Sequence, residues 1–129
     1  MRLYSVAIVS LVVGAPARWT DNLLAQHDIP EIAHRQRGVA RGVSWNAVVR
    51  IALIRSLHER LGCGVREAVA LAAALIEAPA LPLDPRGGLS LAFDRSALEG
   101  ELQARLRDAI ETAPRPRRGR PPRRSALGA

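Results

Sequence analysis

The 129 residues are enough for one small domain plus a tail, and a hydrophobic content of 48% is enough to build a core. The formal net charge of +7 is unevenly distributed, because residues 1–112 hold 13 Arg and 12 acidic residues, whereas residues 113–129 hold 6 Arg and no acid. A near-neutral body with a polycationic tail indicates a polyanionic partner for the tail, most simply nucleic acid.

The residue types that carry catalysis or bind metals do not cluster in this chain. Cys63 is the only cysteine, and the three histidines are scattered, so no zinc-site spacing is present. No nucleophile–base pair, paired carboxylates or phosphate-binding loop can be assembled from the sequence. We therefore expect no enzyme, no cofactor and no metal site. No apolar run reaches the roughly 18–20 residues that a membrane span needs.

The stretch Tyr4–Ala25 predicts a helix-turn-helix. Ser5 is a suitable N-cap for a first helix, with apolar residues at helical spacing behind it. Gly14 can adopt the positive φ of a tight turn, and Pro16 suits the first turn of a second helix.

Residues 1–17 also fit a secretory signal. An apolar run to Val13 follows Met1-Arg2, and Ala15-Pro16-Ala17 has the A-x-A form of a cleavage site. Secretion, with Arg18 as the mature N-terminus, is therefore an alternative to a cytoplasmic location.

The second predicted helix divides its side chains between two faces. The face expected to pack holds Thr20, Leu23 and Leu24, and the other holds Arg18, Asp21, Asn22 and Ala25. Arg can contact guanine or phosphate, Asn prefers adenine and Asp accepts from cytosine, so Arg18, Asp21 and Asn22 are candidate DNA-reading residues. The alternative is a solvated face on which Asp21 pairs with Arg18. Trp19 is expected to pack rather than to face a partner.

The segment that follows, up to Val43, combines Pro and Gly with basic residues and lacks helical periodicity, which is typical of turns. Val39 and Val43 flank Arg41 and suit a short two-stranded ribbon, or wing. Arg35, Arg37 and Arg41 are then candidate contacts to DNA phosphates or to a minor groove. The alternative is an ordinary surface loop with solvated arginines.

Two further helices are predicted after the wing. Ser44 is a suitable N-cap for the first, in which apolar residues recur at three- and four-residue spacings as far as Leu61. Gly62 ends this helix, and Gly64 precedes another apolar-striped helix that ends before Pro79. Together they predict a helical hairpin packed on the inner faces of the first two helices.

The order of these elements resembles the DNA-binding domain of MerR-type regulators. Two short helices, a basic wing containing glycine and a longer helix ending in LGCGVREA (residues 61–68) follow one another as in that family, over about residues 4–77. The resemblance implies a mainly α, MerR-like winged helix-turn-helix of four helices and a short β wing that binds double-stranded DNA. Asp21-Asn22-Leu23 stand where family members carry an Arg followed by aromatic residues.

Beyond residue 77 the resemblance ends. Residues 78–95 form a Pro- and Gly-rich linker, in which the alternation of Leu89–Phe93 predicts one short strand. Ser96–Glu99 has a capping-box pattern, and apolar residues at helical spacing predict an amphipathic helix over residues 96–112. This helix is expected either to dock on its own domain or to form a homodimer, and the two-fold symmetry of MerR-type regulators favours the homodimer.

The arginine-rich part of the tail has no apolar residue to bury and is expected to be disordered alone. Arg118-Gly119-Arg120-Pro121 resembles an AT-hook, in which Gly lets the backbone approach a narrow minor groove and the arginines lie along its floor. The candidate tail contacts are Arg117, Arg118, Gly119, Arg120, Pro121 and Arg123. The alternative is a generic polycationic arm.

These patterns predict four regions: a winged helix-turn-helix domain (1–77), a linker (78–95), a docking or dimerisation helix (96–112) and a disordered basic tail (113–129). The predicted protein is a small bacterial MerR-like transcriptional regulator, cytoplasmic and associated with the nucleoid. A protein-interaction adaptor, whose tail supplies only non-specific nucleic-acid affinity, is the alternative from another functional class.

Overall fold

The computed structural model describes residues 2–33 and 41–112. In these ranges the elements are β1 (Leu3–Ser5), α1 (Val6–Val13), α2 (Ala17–Gln26), β2 (Ile32–Ala33), β3 (Gly42–Ser44), α3 (Trp45–Leu61), α4 (Val65–Glu77), β4 (Ala80–Pro82), β5 (Ser90–Ala92) and α5 (Arg95–Thr112). The predicted mainly α class is confirmed. The predictions for Arg35, Arg37 and the tail lie outside the described residues.

Helix α1 begins and ends at its predicted capping residues, Ser5 and Gly14. The Ser5 hydroxyl accepts a hydrogen bond from the Ile8 amide at 3.3 Å, which satisfies one of the free donors at the start of α1. Gly14 has φ 77°, and its amide donates to the Ser10 carbonyl at 2.9 Å. Pro16 is the N-cap of α2 rather than its first helical residue. The predicted pair of short helices is therefore confirmed.

The three strands nearest the N-terminus form an antiparallel sheet in the order β1-β3-β2. Tyr4 of β1 and Ile32 of β2 lie opposite Val43 of β3, whose side chain is fully buried. The predicted ribbon was centred on Arg41, but its strands are Ile32–Ala33 and Gly42–Ser44, and Arg41 directly precedes β3. The strands pair in this register because it buries the side chain of Val43. The sequence of the loop alone does not show that Val43 is buried.

Helix α3 is the centre of the hydrophobic core. The Ser44 hydroxyl caps it by accepting from the Ala47 amide at 3.2 Å, and Gly62 ends it with φ 71°. Its buried residues are Ala47, Val48, Val49, Ile51, Ala52, Leu53, Ile54 and Leu57. Helix α4 packs against α3 through Ala68, Ala72 and Leu75, so the predicted helical hairpin is confirmed.

The N-terminal segment contributes directly to this core. Val9, Val12 and Val13 of α1 are 1%, 0% and 7% exposed. Cleavage after Ala17, as in the secretory alternative, would therefore remove β1, α1 and all three buried valines. Separately, no helix in residues 2–33 or 41–112 is both long and apolar enough to cross a membrane.

The strand predicted in Leu89–Phe93 is present as β5, and it forms a β-hairpin with β4, which was not predicted. Strand β4 pairs antiparallel with β5, and Leu81 lies opposite Leu91. Gly87 in the connecting turn has φ 75°. Strand β4 was missed because it consists of the alanine, leucine and proline that follow the proline break after α4.

Helix α5 begins earlier than the capping-box pattern predicts. The Asp94 carboxylate, rather than the Ser96 hydroxyl, caps it by accepting from the Ala97 amide at 3.1 Å. Ser96 is already inside the helix and exposed. Glu99 bonds to Arg95 and Trp45 instead of reaching back to a capping serine.

Helix α5 docks on its own chain, mainly against α1. Leu102 and Ala109 are 1% and 3% exposed and belong to the same core as α3. Arg105 adds a hydrogen bond from its Nη1 to the Val12 carbonyl at 3.4 Å. Of the two arrangements expected for this helix, the described residues show docking on its own domain.

A polar network joins the start of α5 to the start of α3. The Trp45 indole donates to Glu99 at 2.8 Å, and Arg95 donates to Glu99 at 2.9 Å and to the Asn46 side chain at 2.8 Å. The hydrogen bond from Trp45 lowers the pKa of Glu99 from its usual 4.5. Partial burial raises this pKa, but the hydrogen bond and positive charge of Arg95 lower it further, so the pKa remains below 4.5. The ionised form of Glu99 is therefore favoured by folding.

Replacement of the α5 cap tests where the helix begins. Asp94→Ala removes the acceptor for the Ala97 amide and should lower the free energy of unfolding by about 1 kcal/mol. Ser96→Ala, at an exposed helical position, should lower it by less than about 0.5 kcal/mol. Urea denaturation measures both, and a larger loss for Ser96→Ala would contradict the observed helix start.

Glu99 predicts a pH dependence of stability. Because folding lowers its pKa below 4.5, its contribution is present above that value and is lost as the pH falls through the lowered pKa. Glu99→Gln should therefore flatten the dependence of the free energy of unfolding on pH in the acid range. Urea denaturation from neutral to acid pH measures this, with Glu77→Gln on the exposed end of α4 as the control. Equal pH slopes for the two variants would contradict the prediction.

Candidate nucleic-acid interface

Helix α2 has one face in the core and one in solvent. Its inner face is nearly inaccessible, with Thr20, Leu23 and Leu24 at 0%, 2% and 4% exposure. Its outer face holds Arg18, Asp21, Asn22 and Ala25, all exposed. The predicted division of α2 into a packed face and a free face is confirmed, and Arg18 and Asn22 lie one turn apart on the free face.

A buried hydrogen bond sets α2 against α1. The Ser10 hydroxyl donates to the Thr20 hydroxyl at 2.8 Å, and Ser10 and Thr20 are 5% and 0% exposed. The Ser10 carbonyl also accepts from the Gly14 and Ala15 amides at the turn between the helices. Ser10 therefore holds both the turn and the following helix, and a sequence search for exposed functional residues does not find it.

Trp19 packs against α3, as expected. Its ring stacks on His58 with centroids 6.3 Å apart and an interplanar angle of 25°, and the Arg55 guanidinium carbon lies 4.9 Å from the ring centroid. Arg55 is itself paired with Glu59 at 3.0 Å. The contacts of Trp19 with Arg55 and His58 position α2 on α3. Trp19 therefore supports the free face of α2 from behind and is not part of it.

Arg41, at the loop-side end of β3, lies beside the free face of α2. Arg41 Nη1 is 3.6 Å from Asp21 Oδ1 and donates to the Asp21 carbonyl at 3.5 Å. The partner of Asp21 is thus Arg41 on the hairpin, and not Arg18 on the same helix as the alternative interpretation expected. Among the described residues Arg18 forms no ion pair. Arg41 is only 20% exposed in its side chain, so it is less accessible than a wing-tip residue would be.

A strained turn fixes where β2 begins. Glu31 has φ 63°, which is unusual for a residue with a side chain. Its carbonyl accepts from the Ser44 amide, and its carboxylate accepts from the Ser44 hydroxyl at 3.0 Å and from the Asn46 side chain at 3.4 Å. Pro30 before it suits such a turn, but Glu31 itself carries no turn signal and could not be predicted from the sequence.

These contacts bring three predicted site residues onto one surface, with a fourth at its edge. Arg18, Asp21 and Asn22 project from α2, and Arg41, directly before β3, borders them. The surface offers guanidinium, amide and carboxylate groups, which together can meet phosphates and base edges. Within the described part of the chain no cluster of His, Cys, Asp or Glu could hold a metal ion.

Comparisons with protein-family models, with curated protein sequences and with solved structures find no significant match to this chain.

The Ser10–Thr20 hydrogen bond predicts a coupling between the two helices. Ser10→Ala leaves the buried Thr20 hydroxyl without this donor and should lower the free energy of unfolding by about 1–3 kcal/mol. Thr20→Val removes the other partner, and the double variant should be less destabilised than the sum of the two. Urea denaturation of the four proteins measures the coupling, with Ser90→Ala on β5 as an exposed control. Strict additivity would show that the hydrogen bond does not contribute.

Proposed function

We propose that this protein is a sequence-specific DNA-binding protein that docks as a winged helix-turn-helix and acts as a small MerR-like transcriptional regulator. The observation that carries the proposal is the contact of Asp21 with Arg41, which brings the free face of α2 next to the loop-side end of a β-hairpin. A helix and an adjoining hairpin on one side of a domain form the arrangement that a winged helix-turn-helix needs.

The docking follows from the dimensions of DNA. The major groove is wide enough to admit an α-helix, and side chains one turn apart on its outer face reach neighbouring base pairs. In this pose Arg18 contacts guanine or phosphate and Asn22 contacts adenine. The chain between β2 and β3 carries Arg35 and Arg37, which then meet the flanking backbone or a minor groove.

The charge distribution supports different roles in DNA binding for residues 1–112, the body, and residues 113–129, the tail. Residues 1–112 hold 13 Arg and 12 acids, so their long-range attraction to DNA is weak. Residues 113–129 add 6 Arg and no acid, which supply affinity for phosphates or, as an AT-hook, for a minor groove. Affinity then depends mainly on the tail, and sequence preference depends on α2.

A protein-interaction adaptor is the second candidate. Leu11 on α1 and Ile110 on α5 are 50% and 44% exposed, and apolar side chains on two packed helices suit a protein partner. In that case the tail would bind nucleic acid without sequence preference. The two functions differ in whether residues of α2 affect the choice of DNA sequence.

The test is a gel-shift titration of the full chain on a duplex selected from a random pool, with a scrambled duplex for comparison. Arg18→Ala and Asn22→Ala should each weaken binding to the selected duplex by about 5- to 150-fold, as expected for loss of one bidentate base contact. Arg107→Ala removes the same charge as Arg18→Ala from an exposed position on α5 and should have little effect. Removal of residues 113–129 should reduce the salt slope by about 5 while the preference for the selected duplex remains.

The adaptor predicts a different result in the same titration. Selected and scrambled duplexes would bind equally, Arg18→Ala would resemble Arg107→Ala, and all DNA binding would be lost with the tail. That combination would exclude the regulator proposal.

A further inference from the structure

Asp21 is an unusual residue for the surface it occupies. It is the only acidic residue of α2, it lies on the free face between Arg18 and Asn22, and its side chain is 54% exposed. A carboxylate in this position repels DNA phosphates, so it lowers affinity for any duplex unless a donor meets it. Asp21 therefore needs an explanation of its own if α2 binds DNA.

The ion pair between Asp21 and Arg41 is loose. Its shortest nitrogen–oxygen distance is 3.6 Å, beyond the roughly 2.7–2.9 Å of a hydrogen-bonded guanidinium–carboxylate pair. The second contact, from Arg41 Nη1 to the Asp21 carbonyl, is also long at 3.5 Å. A partly exposed pair with this geometry is easily exchanged for another partner.

Within residues 2–33 and 41–112, Arg41 also has unused hydrogen-bonding capacity. Its Nε is buried and has no acceptor among the described residues. A buried donor without an acceptor is unfavourable, and a phosphate can accept two parallel hydrogen bonds from one guanidinium group. The long Arg side chain can change partner by rotation about its own bonds, with β3 and α2 left in place.

We propose that Asp21 and Arg41 form an exchangeable ion pair that makes the proposed DNA binding selective. On a cognate site Arg41 moves from Asp21 to a backbone phosphate, and Asp21 accepts a hydrogen bond from the exocyclic amine of a cytosine. On a site without cytosine at that position, Asp21 has no donor and repels the phosphates. The inference rests on the proposed function and identifies cytosine as the base that Asp21 recognises.

The first test measures the affinity of Asp21→Asn and of the wild-type full chain for two duplexes. One is the selected duplex, and in the other the cytosine proposed to contact Asp21 is replaced by another base. Asp21→Asn should bind the replaced duplex more tightly than the wild type does and should reduce the discrimination between the duplexes by about tenfold or more. Glu77→Gln on the exposed end of α4 makes the same change in net charge and should preserve the discrimination.

The second test follows Arg41 through salt dependence. If Arg41 reaches a phosphate in the complex, Arg41→Ala should reduce the slope of log binding constant against log salt concentration by about 0.9. Arg41→Lys keeps the charge and should retain the slope while binding more weakly, because Lys cannot form the two parallel hydrogen bonds. Thermal unfolding of each variant establishes that the fold is retained.

The outcomes separate the two proposals. If the wild type binds the selected duplex specifically, but Asp21→Asn keeps its discrimination and Arg41→Ala keeps its salt slope, the exchange is wrong and the proposed function stands. If the wild type shows no sequence preference, the proposed function fails and this inference fails with it.

Discussion

The rest of the structure depends on the junction between strand β3 and helix α3 at Ser44. This residue is 2% exposed, ends the strand and caps the helix, and its hydroxyl and amide both donate to Glu31. The helix that it starts forms the centre of the core, against which α4 packs. Because one residue belongs to both elements, the position of the β2–β3 hairpin is fixed by the packing of α3.

From that junction the contacts extend to both sides of the proposed interface. The hairpin contacts α2 through Arg41 and Asp21, and α2 is set against α1 through Thr20 and Ser10. Helix α5 packs against α1, where Leu102 enters the shared core. The free face of α2 is thus held in place by packing and hydrogen bonds on its inner side, which the proposed DNA-binding function needs.

Much of the helical framework could be predicted because helix ends are local. Ser5, Gly14, Ser44 and Gly62 each determine a boundary through contacts with residues at most a few positions away, and all four act as the sequence indicated. Asp94 shows the limit of this reasoning, since it outcompetes the capping-box pattern that begins two residues later. When two residues close together can each cap a helix, the sequence alone does not show which one accepts the hydrogen bond.

The features that could not be predicted depend on residues distant in the chain. Strand β1 pairs with β3 about forty residues away, and Asp21 pairs with Arg41 rather than with its helical neighbour Arg18. Helix α5 docks on α1 because of the shape of the core. The spacing of apolar residues within α5 shows which face is apolar but not which helix it packs against. The exposed residues of the candidate site were found by helical spacing, whereas its supports, Ser10 and Glu31, were not.

Chemical-shift mapping tests most directly the claim that α2 and the hairpin form one DNA-binding face. Uniformly ¹⁵N-labelled full chain would be titrated with its selected duplex, and the backbone amides followed by heteronuclear correlation spectra. If α2 and the hairpin bind DNA together, the largest changes occur at Arg18, Asp21, Asn22 and Arg41, with little change along the exposed side of α4. Changes confined to residues 113–129, with the amides of α2 unaffected, would contradict it.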